Sequence, residues 1–345
     1  MDILHDALGF AAKGFIVFAT IAATLLFLAA LVKRLRPDRP ALRVKPLNRR
    51  LQALGDSLRA EIAGKKELRK LFKRRRKAEA EQARTRPSVF VLDFKGDLFA
   101  TAVGSLREEV SAISAVAGKA DEVVVRLESA GGAVPHYGLA AAQLMRLRDK
   151  AIRVTVCIDR IAASGGYMIA CVADRIVAAP FAIIGSIGVV AQVPNLHRLL
   201  KKHDVDFQEM TAGEFKRTVS VFGEITERGR KKFQEELEDT HRLFKEFVHA
   251  HRPQLDLDKV ATGEHWLARR ALDLGLVDQL RTSDEYLVAR AEEANLYRVS
   301  FERPSPLRER LGRMIARAVV SSDPLLLNAA RWIRSVADAA RQGAR

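Results

Sequence analysis

Ser164 stands in a run of small residues, Ala162-Ala163-Ser164-Gly165-Gly166. A short apolar stretch, Val154 to Ile158, leads into it, and an Ala/Met-rich stretch of helical composition leads out. A serine on a strand-to-helix turn is open to a substrate carbonyl. Acyl transfer needs that nucleophile, donors for an oxyanion and a base. The amide of Gly165, directly after the serine, is one candidate donor. The glycine turn Gly131-Gly132, in "RLESAGGAV", is another, because glycine lets a backbone approach a substrate closely. Both turns are expected at the ends of parallel strands, where α/β folds bind their ligands. A crowded turn also favours small residues, so the turn alone does not assign a nucleophile. It is not a G-x-S-x-G elbow, since position 162 is Ala. The chain also lacks a P-loop, an H-E-x-x-H and a G-x-G-x-x-G motif.

The base is the harder assignment. No histidine lies near Ser164 in sequence. His136 is in the glycine turn, and His197 and His203 follow the last apolar stretch; each reads most simply as an ordinary polar residue. Lysine serves as a base when burial keeps it neutral near pH 7. Lys216 in "TAGEFKRTVSVF" stands apart from the charge runs, between Phe215 and an apolar stretch, a setting that suggests half-burial. Cys157 and Cys171 both lie in apolar runs and read as buried thiols, neither a disulfide framework nor a metal set.

The elements that must position these residues begin at Ser88. "SVFVLDF", "EVVVRLES" and "IRVTVCI" are predicted strands; "SLREEVSAISAVAG" and "LAAAQLMRLRDK" are predicted helices. Nearly continuous apolar strands alternating with helices indicate an α/β fold with a parallel or mixed sheet covered by helices. Residues 176–195 carry no charge, yet Pro180, Gly185, Ser186, Gly188, Gln192 and Pro194 divide them into strand-length pieces, which suits a core better than a membrane span. A charged helix is predicted over 224–251, and "ATGEHWLARRALDLGLVDQL" closes the domain as helix and turn.

The 345-residue chain has a net charge of +16. Residues 33–87 hold 20 Lys/Arg against 6 Asp/Glu, so this one segment supplies +14. It follows residues 14–32, an uncharged stretch of 19 residues, long enough to cross a bilayer as a helix. The flanks and the lack of a small-x-small cleavage site argue for an uncleaved anchor rather than a signal peptide. Lys33, Arg34, Arg36 and Arg39 follow at once, and the positive-inside rule places them and the remaining chain on the cytoplasmic side of a bacterial inner membrane. The basic segment reads as a helical or disordered spacer near anionic headgroups. Nucleic acid is not an expected partner, since stacking aromatics are nearly absent there. The domain plan is an N-terminal segment 1–13, an anchor 14–32, a spacer 33–87, a catalytic domain 88–301 and a basic amphipathic tail 302–345.

Taken together, "VLDFKGD", "LESAGGAV", "AASGGYMIACVADRIVAAP", "GSIGVV", "AGEFKRTVSVFGEITERGRKKF" and "ATGEHW" resemble, in order and spacing, the SohB/signal peptide peptidase A family of proteases. The resemblance spans roughly 89–288. It implies a Clp protease/crotonase-type fold, stacked ββα units around a mixed sheet, and peptide hydrolysis by a serine–lysine dyad without metal, ATP or other cofactor. Carried over, Ser164 is the nucleophile, Lys216 the general base, Ser186 of "GSIG" the residue that orients the lysine, and Gly132 and Gly165 the oxyanion hole. The implied partners are peptides or membrane-protein segments, including signal-peptide remnants, the lipid bilayer, and further copies of the chain in a homo-oligomer. Related subunits form rings, and the lysine can come from a neighbouring chain. The family's glycine turn usually reads E-S-P-G-G; Ala130 replaces the proline here, which loosens the turn slightly. Two other readings remain open at this stage: a crotonase-like acyl-CoA enzyme, and a non-catalytic membrane scaffold.

Overall fold

The computed structural model describes residues 41–63 and 85–302. The anchor expected over 14–32 and the tail from 303 lie outside the described residues. The elements in chain order are β1 (Ala41–Pro46), α1 (Leu47–Ala63), β2 (Ser88–Lys95), α2 (Val103–Val116), β3 (Glu122–Glu128), α3 (Val134–Arg148), β4 (Arg153–Ile158), β5 (Ile161–Ala163), α4 (Gly165–Ala170), β6 (Arg175–Ala178) and β7 (Ile183–Gly185). They continue with α5 (His197–Lys202), α6 (Glu227–His251), α7 (Leu257–Val260), β8 (His265–Leu267), α8 (Ala268–Asp273), β9 (Gln279–Leu280), α9 (Ser283–Glu293) and β10 (Asn295–Glu302).

Seven strands form the main sheet in the order β1-β10-β2-β3-β4-β6-β9, and β10/β2, β2/β3, β3/β4, β4/β6 and β6/β9 pair in parallel. The burial pattern explains why β3 and β4 read as unbroken apolar runs. Val123, Val125 and Leu127 point into one core with Leu144, Leu147, Val154 and Val156. Val124 points the other way, onto Val91, Cys157, Val177, Tyr286 and Leu287. A strand buried on both faces has no polar alternation to show. Each large apolar side chain buried this way contributes about 1.5–3 kcal/mol.

A second sheet, β5-β7-β8, carries the functional turns. β5 pairs in parallel with β7, and β7 antiparallel with β8. The two sheets are joined at Ser129, just beyond β3: its N–H donates to Ile161 O at 2.9 Å, and its carbonyl accepts from Ala163 N at 3.0 Å. The uncharged stretch 176–195 is divided as its turn residues predict, into β6, β7 and an exposed loop.

Polar pairs fix the periphery. Arg252, 4% exposed, forks onto Asp278, whose carboxylate also accepts the Ile176 N–H. Buried Glu122 accepts from Thr155, Tyr286 and Arg290. Thr282 caps α9 by accepting from Glu285 N, three residues on, where this spacing places a capping box. Within the basic segment, Asn48 donates to Ala291 O and Ala294 O and accepts from Leu296 N, so α1 is tied to α9 and β10.

Candidate active site

Ser164 occupies the corner between β5 and α4 with φ 51° and ψ −120°. A non-glycine residue there is strained, and such strain is held only where the surroundings over-determine the backbone. Two hydrogen bonds do this. The Ser164 N–H donates to Gly185 O at 2.8 Å, and its carbonyl accepts Met168 N at 3.0 Å, the first bond of α4. Ser164 is thus the N-cap of that helix, yet its hydroxyl makes no capping bond. The residue as a whole is half-buried.

The residues after it must be glycines. A Cβ on Gly165 would lie 2.5 Å from the Tyr137 ring, and one on Gly166 2.4 Å from Ser129 O. The Gly165 amide, at the first helical position, has no acceptor within its own helix. The other glycine turn closes onto the serine from the side. Gly131 has φ 95°, and a Cβ there would stand 2.8 Å from both the Ser164 Cβ and the Gly165 N. Gly132 follows, pressed against Leu98 O, which accepts the Ala133 N–H at 2.8 Å. Among the described residues no hydrogen bond engages the Gly132 amide. The two turns singled out in the sequence therefore meet, with Gly131 packed against the Ser164 Cβ and the Gly165 amide.

Ser186 is adjacent through β7. It too has a positive φ, 52°, and its N–H donates to Glu264 O at 2.6 Å. Because Gly185 O holds the Ser164 amide, Ser164 and Ser186 are one residue apart across a single strand pairing. His136 and His203 are exposed and His197 is half-buried, with its Nδ1 bonded to Phe222 O rather than to the serine.

Lys216 departs from the half-buried setting its sequence suggests. It is exposed, in a turn closed by its own N–H to Gly213 O at 3.1 Å. No hydrogen bond among the described residues joins its ammonium to Ser164 or Ser186. The segment around it, 188–226, contains only the one-and-a-half-turn α5 and shows Val190, Leu199, Met210, Phe215 and Phe222 to solvent. Phe215 is flanked by Arg228 and Lys232 at 5.4 and 5.6 Å. Apolar flanks in the sequence do not bury a lysine whose turn stays at the surface, as this one does among the described residues.

Two residues that the sequence motifs did not single out complete the site. Ser129 and Tyr137 are buried behind the glycine turn, with their hydroxyls 2.6 Å apart. Their only sequence trace is a serine just before the glycines and a tyrosine on the first turns of the following helix.

Comparison with known proteins now decides the family. The probable protease SohB of Haemophilus influenzae is 55% identical over 246 residues, which is 71% of this chain and 70% of that protein. The probable protease SohB of Buchnera aphidicola from Acyrthosiphon pisum is 59% identical over 213 residues, 62% of this chain and 63% of that protein. The profile of peptidase family S49 matches residues 146–297, and that of the S49 N-terminal region matches 2–144. This chain belongs to peptidase family S49. It is a serine peptidase. Among solved structures, two mutants of the 1510-N membrane-bound stomatin-specific protease align at TM-scores of 0.40 and 0.38, with 13% and 14% identity, over 59% of this chain and 84% and 80% of theirs.

Within an S49 peptidase the chemistry required of the site is hydrolysis of a peptide bond. Thiol chemistry at this site is disfavoured by burial. Cys157 and Cys171 are free but buried, and burial pushes both thiols up, Cys171 to about 12. Among the described residues there is no cluster of three or more His, Cys, Asp or Glu that would hold a metal ion.

Proposed function

We propose that this S49 peptidase is a membrane-anchored endopeptidase that cleaves through an acyl-enzyme on Ser164, with Lys216 as general base. The observation that carries the reading is the meeting of the strained Ser164 corner with the Gly131-Gly132 turn. In the forward step the Ser164 oxygen attacks the peptide carbonyl while Lys216, neutral, takes the hydroxyl proton. The carbonyl oxygen gathers negative charge and is met by the amides of Gly165 and Gly132. The lysine returns the proton to the leaving amine, and water, activated in the same way, releases the acyl group. Each preorganised donor is worth about 10²–10³ in kcat.

Lys216 is proposed to reach a serine across an interface with a second copy of the chain, where Ser186 orients it. The exposed apolar side chains of 188–226 support this, since an interface that covered them would bury apolar surface beside the lysine. Homo-oligomerisation then completes the site. The strand alternation supports a Clp protease/crotonase-type fold: β4 and β6 lie in the main sheet, β5 and β7 in the small one, and β4-β5-α4 forms one ββα unit. The uncharged residues 14–32 are proposed as the anchor, with the basic flank on the cytoplasmic side. Peptides and unfolded segments of membrane proteins are the proposed substrates.

The test is labelling of the full-length protein with a fluorophosphonate probe, with cleavage of fluorescein-labelled casein alongside. Wild type is expected to label and cleave. Ser164→Ala and Lys216→Ala are each expected to lose at least about 10³ in rate. Full cleavage by either variant overturns the assignment.

A further inference from the structure

The hydroxyls behind the glycine turn form a directed chain. Asp97 O is a carbonyl and can only accept, and Tyr137 OH donates to it at 2.8 Å. A phenol has one proton, so across the 2.6 Å contact Ser129 must be the donor and Tyr137 the acceptor. The Ser129 oxygen in turn accepts the Gly131 N–H at 3.1 Å. The order is Gly131 N–H to Ser129, Ser129 to Tyr137, and Tyr137 to Asp97. Donors and acceptors aligned head to tail polarise one another. The chain has no slack, since a Cβ on Gly96 would fall 2.2 Å from Ser129 Oγ and 2.4 Å from Tyr137 OH.

Tyr137 also touches the other half of the site. Its ring fills the space a Gly165 side chain would take, and Ser129 O fills that of Gly166. The Ser129 backbone is laddered to Ile161 and Ala163 in the strand that carries the nucleophile. One buried tyrosine therefore bears on both turns that supply the donor amides. Burial holds its phenol above the usual range, so it remains a donor at working pH.

We propose that Tyr137, acting through Ser129, is a positioning residue for the oxyanion hole, holding the Gly131-Gly132 turn at the distance from Ser164 that the transition state requires. The proposal rests on Ser164 as nucleophile and on Gly132 and Gly165 as donors. Tyr137 touches no reacting atom. Its effect falls on the transition state, where the donors must meet a charge that the ground-state carbonyl lacks.

The experiment measures the rate of phosphonylation by the fluorophosphonate probe, resolved into kinact and KI, and kcat and KM for fluorescein-labelled casein. All variants are made in the full-length protein. Tyr137→Phe removes one oxygen and leaves the ring under Gly165. It is expected to lower kinact and kcat about tenfold or more while KI and KM stay within about twofold, the signature of an interaction realised only in the transition state. Gly96→Ala, which crowds both hydroxyls without altering either, is expected to do the same. Because the hydroxyls act as one chain, Tyr137→Phe combined with Ser129→Ala is expected to be no worse than the more damaging single change. A merely structural tyrosine would instead lower the folded fraction and leave kinact per folded molecule unchanged; that result overturns the proposal. If Tyr137→Phe does not fold, Gly96→Ala and Ser129→Ala test the same split. Full labelling and turnover by Ser164→Ala would bring down the nucleophile and the proposal together. An inactive Ser164→Ala with a wild-type kinact in Tyr137→Phe would bring down the proposal alone.

Discussion

The backbone amide of Ser164 is held by the carbonyl of Gly185 at 2.8 Å, although the two residues lie in different strand–turn units. The bond fastens the Ser164 corner to β7, and among the described residues the hydroxyl makes no capping bond. Gly185 has φ 104°, and a Cβ there would meet the Trp266 ring at 2.8 Å. The position therefore excludes every side chain for two separate reasons.

Gly185→Ala is accordingly expected to cost about 1–3 kcal/mol from backbone strain alone, with a further loss from displacing Trp266. Cleavage should fall more than stability does, because the displaced carbonyl is the one that fixes Ser164. Urea denaturation and casein turnover on the same preparation check both parts.

The proposal that Lys216 acts across an interface between two copies makes a complementation prediction. Ser164→Ala and Lys216→Ala are each expected to be inactive alone. Mixed after mild dissociation and reassembly, they should regain a fraction of wild-type cleavage, because some interfaces then join an intact serine to an intact lysine. Mixtures that stay at the level of either parent would place the base within one chain.

The two cysteines give a prediction about reagents. The thiolate is the reactive form, and burial raises both groups well above neutral pH. A thiol reagent such as dithionitrobenzoate is expected to leave the native enzyme unlabelled and active at pH 8, and to titrate two thiols once the chain is unfolded in guanidinium. Inhibition of the native enzyme at a rate matching thiol modification would contradict this.

Glu109 makes the prediction for pH. It is 6% exposed on α2 and accepts the Phe301 N–H at 2.7 Å. Burial raises its pKa, against a smaller lowering by the Phe301 bond, and Asp93 raises it further. A carboxyl whose folded pKa is raised binds more protons in the native state than in the unfolded one. Its contribution to stability is full below the ordinary carboxylate pKa and is lost as pH rises through the raised value. Glu109→Gln keeps an acceptor for Phe301 without the charge. Its urea midpoint, measured against wild type across that window, should gain on wild type as pH rises. A constant difference at every pH would refute the assignment.

Sequence and structure divide this protein along a physical line. Local chemistry was legible in the chain. The β-branched runs at Val123–Val125 and Val154–Val156 had to be doubly buried strands. The glycines at 165 and 166 had to follow the serine, because only a residue without a side chain fits a backbone packed this closely. Pro180 and Gly185 broke an apolar stretch too irregular to be a span. The order of Ser164, Ser186 and Lys216 along the chain carried the family resemblance, since spacing survives in sequence.

What sequence did not reveal depends on contacts between distant segments. The relay from Gly131 through Ser129 and Tyr137 to Asp97 joins residues up to 40 positions apart by hydroxyl direction and distance, and no local pattern encodes these. The half-burial expected of Lys216 failed for the same reason. Burial is a property of what lies opposite a residue, and among the described residues Val190, Leu199, Met210, Phe215 and Phe222 around the lysine are left exposed. The residue types and their order were set by the sequence; which backbone turn meets Ser164, and which side chains are left exposed, was decided only when the strands were laid side by side.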